Sequence, residues 1–407
     1  ATWMIGGPSF DGAKVPRYGD YDPARDARRG HGLRFASDDL YDCRWEVTHE
    51  YGIPKTARSG LYVGRFRFEI DGVPRLYDVT FVVKKPDDAP KAPILMIAST
   101  NSWLAYKATP FAINPPGLHY HWGTTGIANG PGNPPAYCMY RNHHAGQPAY
   151  KVGVRTPWPN AGPYVLYAAG GSGYSHLVRA ERFALAWLEK SGYDYDMVGD
   201  LDVHRNPELL SDYKVVVING HGEYWSQEAY EGLDRYLCGG GDVLVLSGNV
   251  MVWRASFNED ETVMECRKLG PGLGGRPGSS VGEIWHSQDG RRGSLTRECG
   301  MPAWKVVGLS MLGWAGIGPN DFGLYHVEKP EHFLFHQPEE VGLAAGDTFG
   351  GAPGGGLPRA VGHECDVRVS LFREITADVP EGAVLPEEPE GIVTIANGIL
   401  PRYAGLD

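Results

Sequence analysis

Cysteine is scarce in this 407-residue chain, and what there is does not pair by spacing. Cys43, Cys138, Cys238, Cys266, Cys299 and Cys365 contain no Cys-x-x-Cys and no short regular interval. That argues against a disulfide-stapled scaffold and a thiolate zinc site, and reads as reduced cytosolic thiols. No apolar run approaches the about 18 residues of a membrane span, so no membrane partner is expected. No signal peptide is visible at Ala1, so the expected location is cytoplasmic. Basic clusters are missing too: 38 Lys+Arg face 49 Asp+Glu for a net charge of −11, which argues against nucleic acid as a partner. Familiar catalytic frames are absent. Gly170-Gly171-Ser172-Gly173 does not fit the Gly-x-Ser-x-Gly elbow and lacks the lysine of a phosphate-binding loop. There is no His-Glu-x-x-His, and His119, His121 and the adjacent His143 and His144 read as loop histidines among aromatics. No internal repeat is present.

What the chain does have is 56 glycines and 31 prolines, which implies much ordered loop. Residues 1–50 are broken throughout by Gly and Pro and read as an irregular arm. Gly60 to Ile70 and Arg75 to Lys84 alternate apolar and polar residues about Asp71-Gly72, the pattern of a β-hairpin. Ala92 to Ala98 reads as a buried strand. Residues 107–175 form a long stretch rich in Gly, Pro and aromatics. A helix is expected over His176–Lys190, a strand over Tyr193–Val198 and a short helix from Pro207. Beyond Arg254 the pattern loosens, with a strand expected over Gly391–Ala396. The alternation of helices and buried strands from Ser175 to Ser247 predicts an α/β fold with a doubly wound, flavodoxin or glutamine-amidotransferase-like parallel sheet. The expected division is an arm and hairpin over 1–90, packed on a catalytic body over 91–407.

The most informative stretch runs from Tyr213 to Asn249. Lys214 to Gly220 is a β-branched strand, Ser226 caps a helix that ends at Gly239-Gly240-Gly241, and Asp242 to Ser247 is the next strand. Such units place their chemistry at the carboxyl ends of the strands. His221 and Glu223 occupy one such end and Gly248-Asn249 the next. The competing readings are a surface glutamate at a helix start and a core histidine bonded to backbone.

Asn101-Ser-Trp-Leu-Ala-Tyr106 after a buried strand, then Asn219-Gly-His-Gly-Glu-Tyr-Trp225, then Ser247-Gly-Asn249 form a set that resembles the C-terminal catalytic region of the N,N-dimethylformamidase large subunit. The likeness covers most of the chain and is strongest from about 90 to 255. The resemblance implies a mononuclear iron amidohydrolase, one Fe(III) per chain, held by two tyrosinates and a glutamate. Glu223 falls on the family glutamate and Tyr106 on the first tyrosine. Tyr140 is the choice for the second, with Tyr137 and Tyr150 as rivals. His221 and Asn249 match active-site polar residues, and Glu364 in Gly362-His-Glu-Cys365 matches a second carboxylate. The expected activity is hydrolysis of a small N-alkylated amide, such as dimethylformamide, by metal-activated water. The family's large subunit has an extra β-sandwich domain and a small helical partner subunit. The implied partners are therefore a small subunit, a separate β-domain chain, or further copies of this chain. Two other classes stand beside this reading: a non-catalytic glutamine-amidotransferase-like module binding a sugar or other small molecule, and a structural subunit of a larger enzyme.

Overall fold

The structure, a computed structural model, describes residues 2–6, 30–34, 41–107, 112–114, 118–119, 138–139, 149–158, 161–162, 166–167, 178–268, 285–314, 323–351, 364–371 and 387–398. The chain divides into two compact units, one of residues 1–247 and 251–302, the other of 248–250 and 303–407.

In the first unit the hairpin pairs Gly60–Ile70 (β1) with Val73–Val83 (β2) over their full length. Asp71 and Gly72 both have positive φ, 50° and 72°, as a two-residue turn with the twist of its flanking strands requires. Ser59 fastens the base of the hairpin to the sheet, its Oγ accepting the Met197 N–H at 2.7 Å.

The sheet forms where β-branched and other apolar residues run uninterrupted. Ile94–Ala98 (β3) is followed by the short helix Thr100–Tyr106 (α1). Val178–Lys190 (α2) precedes Tyr195–Gly199 (β4), and Asp200–Arg205 (α3) follows it. Then come Val215–Gly220 (β5), the two-residue strand Tyr224–Trp225 (β6), Gln227–Cys238 (α4) and Asp242–Ser247 (β7). Among the described residues four strands pair in parallel, in the order β4-β3-β5-β7. The first strand in sequence lies between the second and the third. Its two neighbours are therefore reached on opposite sides, the kind of reversal beside which the strand ends of such sheets carry their chemistry. Both central strands are buried, Leu95 to Ala98 and Val216 to Ile218. Ser226 caps α4 by accepting the Ala229 N–H at 3.2 Å, and Ala229, Tyr230 and Leu233 form the helix's buried stripe.

Three segments differ from the expectation. The helix α3 has too few apolar residues to show a period; Asp202 caps it by accepting the Gly199 N–H at 3.0 Å. Beyond Arg254, Trp253–Phe257 (β8) and Val263–Cys266 (β9) form a sheet with β6 and Lys151–Gly153. Every residue of β8 is buried, including Arg254 and Ser256, so polar alternation carries no signal there. Arg254 pairs with Asp289, and Ser256 bonds His286 at 2.6 Å. The late strand is Ala396–Gly398 rather than 391–396. It belongs to the second unit, where Tyr325–Val327 lies between it and Thr348–Phe349, and Ser310–Trp314 pairs with Glu364–Val367. Among the described residues no helix is long and apolar enough to cross a membrane.

Two buried carboxyls close the start of α1. Glu181 accepts the Ser99 N–H at 3.3 Å, and Asp200 accepts the Asn101 N–H at 2.8 Å. Burial pushes Glu181 from 4.5 up to about 8 and Asp200 from 3.8 up to about 7. A carboxyl whose pKa is raised on folding contributes stability that is fully present below its unfolded value and lost as pH climbs to the folded one. Unfolding free energy measured by denaturant should therefore fall between pH 5 and 8, by on the order of a few kcal/mol. Glu181→Gln should remove part of that slope, and a stability that rises across the window would contradict the assignment. Gly220 has φ +80°, and a Cβ there would lie 3.2 Å from Glu181 Oε2 and 3.3 Å from Ala180 Cβ. Gly220→Ala should cost about 1–2 kcal/mol or more in the same assay.

Candidate active site

The segments that follow β3 and β5 meet beyond the carboxyl ends of the two strands. From β3 comes α1, whose last residue is Tyr106. Along its length α1 is tied to the segment after β5: Asn101 Nδ2 donates to the Tyr224 carbonyl at 3.0 Å, and Ser102 Oγ donates to the His221 carbonyl. From β5 comes His221-Gly222-Glu223, a tight turn closed by the Glu223 N–H on the His221 carbonyl at 2.9 Å. Gly222 is packed so closely that a Cβ would meet Ile218 Cγ2 at 2.9 Å, and its N–H donates to Ser247 Oγ at 2.9 Å. The Glu223 carbonyl accepts the N–H groups of Val252 and Trp253 at 3.0 and 2.9 Å. The backbone of the turn is thus pinned, and its two functional side chains have fixed origins.

Those side chains meet Tyr106. The Tyr106 hydroxyl donates to Glu223 Oε2 at 3.0 Å and lies 3.3 Å from His221 Nε2. His221 Nε2 is itself 3.0 Å from Glu223 Oε2. The other carboxylate oxygen accepts the Trp253 indole N–H at 2.8 Å, and the Lys268 ammonium stands 3.9 Å from it. Lys268 lies over the rings of Tyr224, Trp253 and Tyr106, at 4.8, 5.4 and 5.6 Å from their centres. The group is shut away from water, with Glu223 3% and His221 2% exposed. Burial by itself would push the Glu223 carboxyl up. The Lys268 ammonium, the His221 imidazole and the Tyr106 hydroxyl outweigh it and hold the group down at about 2, so Glu223 is an anion at neutral pH.

Of the residues named from the sequence, Tyr106, His221 and Glu223 are brought together. Tyr140 and Tyr137 lie outside the described residues. Tyr150 is buried, with the Arg267 guanidinium 4.9 Å above its ring. Asn249 follows β7 in a turn that belongs to the second unit. It has φ 55°, a conformation asparagine tolerates, and its buried Oδ1 makes no hydrogen bond. Glu364 opens the strand Glu364–Val367 of the second unit, and its side chain lies outside what is described. The sequence reading missed Trp253 and Lys268. Trp253 follows closely on the Ser247-Gly-Asn249 strand end, which is a weak signal; a single lysine after Cys266-Arg267 gives none.

The donor set suits a hard cation. Two oxygens 3.0 Å apart have the spacing of adjacent donors on an octahedral ion with bonds of about 2.1 Å. Phenol and carboxylate oxygens favour such an ion over soft metals. Among the described residues no three His, Cys, Asp or Glu side chains converge, so the tyrosine is what distinguishes this site from a histidine-rich one.

A family model matches nearly all of this chain, and two curated relatives match 82% and 74% of it. The family described as N,N-dimethylformamidase beta subunit-like, C-terminal, matches residues 14–397. An N,N-dimethylformamidase beta subunit from Alcaligenes sp is 31% identical over 363 residues, 82% of this chain and 43% of the relative. One from Paracoccus aminophilus is 30% identical over 319 residues, 74% of this chain and 39% of the relative. The chain spans less than half the length of these curated relatives. On the match to residues 14–397, it belongs to the N,N-dimethylformamidase beta subunit-like, C-terminal family.

Proposed function

We propose that this chain is the catalytic part of an iron-dependent amide hydrolase that cleaves a small N-alkylated amide, dimethylformamide or a near relative, to a carboxylate and an amine. The observation that carries the reading is the meeting of Tyr106, His221 and Glu223 beyond the strand ends of a chain in this family. The sheet order supports a doubly wound body of flavodoxin or glutamine-amidotransferase type. The names of the relatives support assembly with another subunit.

In this proposal Tyr106 and Glu223 would hold the iron, with Tyr140 as the third ligand on the strength of the resemblance. When bound, a trivalent iron supplies Lewis-acid polarisation of an amide carbonyl and acidifies water. The chain's own residues do the rest. Trp253 occupies Glu223 Oε1 and so turns Oε2 toward Tyr106. Lys268 offsets part of the negative charge of the donor oxygens. His221 Nε2 faces the same point and is placed to hold a hydrogen bond to water or to a developing oxyanion. Asn249 is assigned to orient the amide, and Glu364 to take a proton from water and pass it to the leaving amine, both from the resemblance.

Direct attack by water fits the absence of a poised nucleophile among the described residues of this site. Ser102 Oγ is committed to the His221 carbonyl, and burial pushes the thiols of Cys266 and Cys299 up, away from the thiolate form.

Protein purified without chelator or affinity tag should carry about one iron per chain and absorb visible light, as tyrosinate bound to ferric iron does. Glu223→Gln should lose most of that iron. Colourless wild-type protein, or full occupancy by zinc, would reject the iron assignment. Amine release from a panel of formamides, acetamides and bulkier N-alkyl amides tests the reaction. Added hydroxylamine should capture no acyl group, because no acyl-enzyme forms. Asn249→Ala should keep the iron and lower turnover on the order of 10²-fold. Activity on esters or peptides with none on any N-alkyl amide would reject the substrate class.

A further inference from the structure

The position of Tyr106 depends on α1, and α1 has only seven residues. A helix that short does not hold itself. Its N-cap, Ser99, makes no side-chain cap; its Oγ donates instead to the Asn219 carbonyl at 3.0 Å. The groups that fasten α1 from outside therefore decide where its last residue stands.

Glu181, on α2, bonds to two groups of α1 and lies beside the end of β5. Its Oε1 accepts the Ser99 N–H at 3.3 Å and the Trp103 indole N–H at 3.2 Å. Trp103 is fully buried and packs edge-on against Trp158, with ring centres 5.4 Å apart. Glu181 Oε2 has no hydrogen-bond partner among the described residues and faces Gly220, so closely that a Cβ there would be 3.2 Å away. Tyr106 lies three residues beyond Trp103, and Glu223 three residues beyond Gly220. An apolar side chain in its place would leave the Ser99 and Trp103 donors buried and unpaired, so the position of α1 depends on this carboxyl.

We propose that Glu181 is a positioning residue for the candidate active site: by holding Ser99 and Trp103 at once it fastens α1 to α2 beside the end of β5, and so sets where Tyr106 stands relative to Glu223. This rests on reading that pair as the reactive site, but not on the identity of the reaction. Because Glu181 keeps its proton up to about pH 8 through burial, Glu181→Gln is the conservative replacement. The amide oxygen can take both N–H donors.

The test uses the full chain with its tyrosines labelled at the ring carbon bearing oxygen, in metal-free protein, with the Tyr106 resonance assigned by Tyr106→Phe. Glu181→Leu should move the Tyr106 resonance, and Glu181→Gln should leave it close to wild type. In the amide assay Glu181→Leu should lose on the order of 10²-fold in kcat with KM within about threefold, while Glu181→Gln retains most activity. An unmoved resonance and unchanged kcat in Glu181→Leu would overturn the proposal, as would a Glu181→Gln variant as impaired as Glu181→Leu. Should Glu181→Leu fail to fold, Trp103→Phe removes the indole donor alone; an unmoved Tyr106 resonance there overturns it equally. If the wild type hydrolyses no amide, the functional reading fails, and the metal-free resonance still decides the role of Glu181.

Discussion

The structure of this site depends on keeping one buried carboxylate charged. Glu223 has 3% of its surface exposed, and an anion so placed is stable only when hydrogen bonds and opposite charge replace the water it has lost. Trp253 and Tyr106 donate to its two oxygens, and His221 and Lys268 bring the compensating charge and polarity. Each comes from a different part of the chain: the helix after β3, the turn after β5, the strand after β7 and the end of β9. The surrounding architecture serves to bring these four segments to one point. Glycines at 220 and 222 let the turn bend where a Cβ would strike Glu181 or Ile218.

That arrangement explains why the parallel sheet and the site go together. The reversal of strand order leaves β3 and β5 adjacent with their following segments diverging. Hydrogen bonds from Asn101 and Ser102 then draw the two segments back together across the gap. Tyr106, His221 and Glu223 stand within hydrogen-bonding distance of one another.

Much of the frame was legible in the sequence, for physical reasons that also mark where legibility stops. The hairpin could be read because one residue in two faces each side, and because Asp71-Gly72 fits a turn needing two positive φ angles. The strands Ile94–Ala98, Val215–Gly220 and Asp242–Ser247 showed as short apolar runs, and α4 showed through its cap and stripe. The strand Trp253–Phe257 did not show, because Arg254 and Ser256 are buried beside polar partners and erase the alternation. Within the site, Glu223 and His221 were visible from their place at a strand end. Tyr106 came from a resemblance of motifs, since one tyrosine among 22 carries no period of its own. Lys268 was invisible, because its role comes from three rings and a carboxylate that meet only in the folded chain.

The central claim is that the Tyr106 hydroxyl and the Glu223 carboxylate are ligands of one iron rather than only partners of each other. Resonance Raman scattering, excited in the visible band of the purified protein, addresses it directly. The account predicts enhanced ring vibrations of an iron-bound tyrosinate, reduced but not abolished in Tyr106→Phe because a second tyrosine contributes. A spectrum without tyrosinate bands, or one that Tyr106→Phe leaves unchanged, would contradict it.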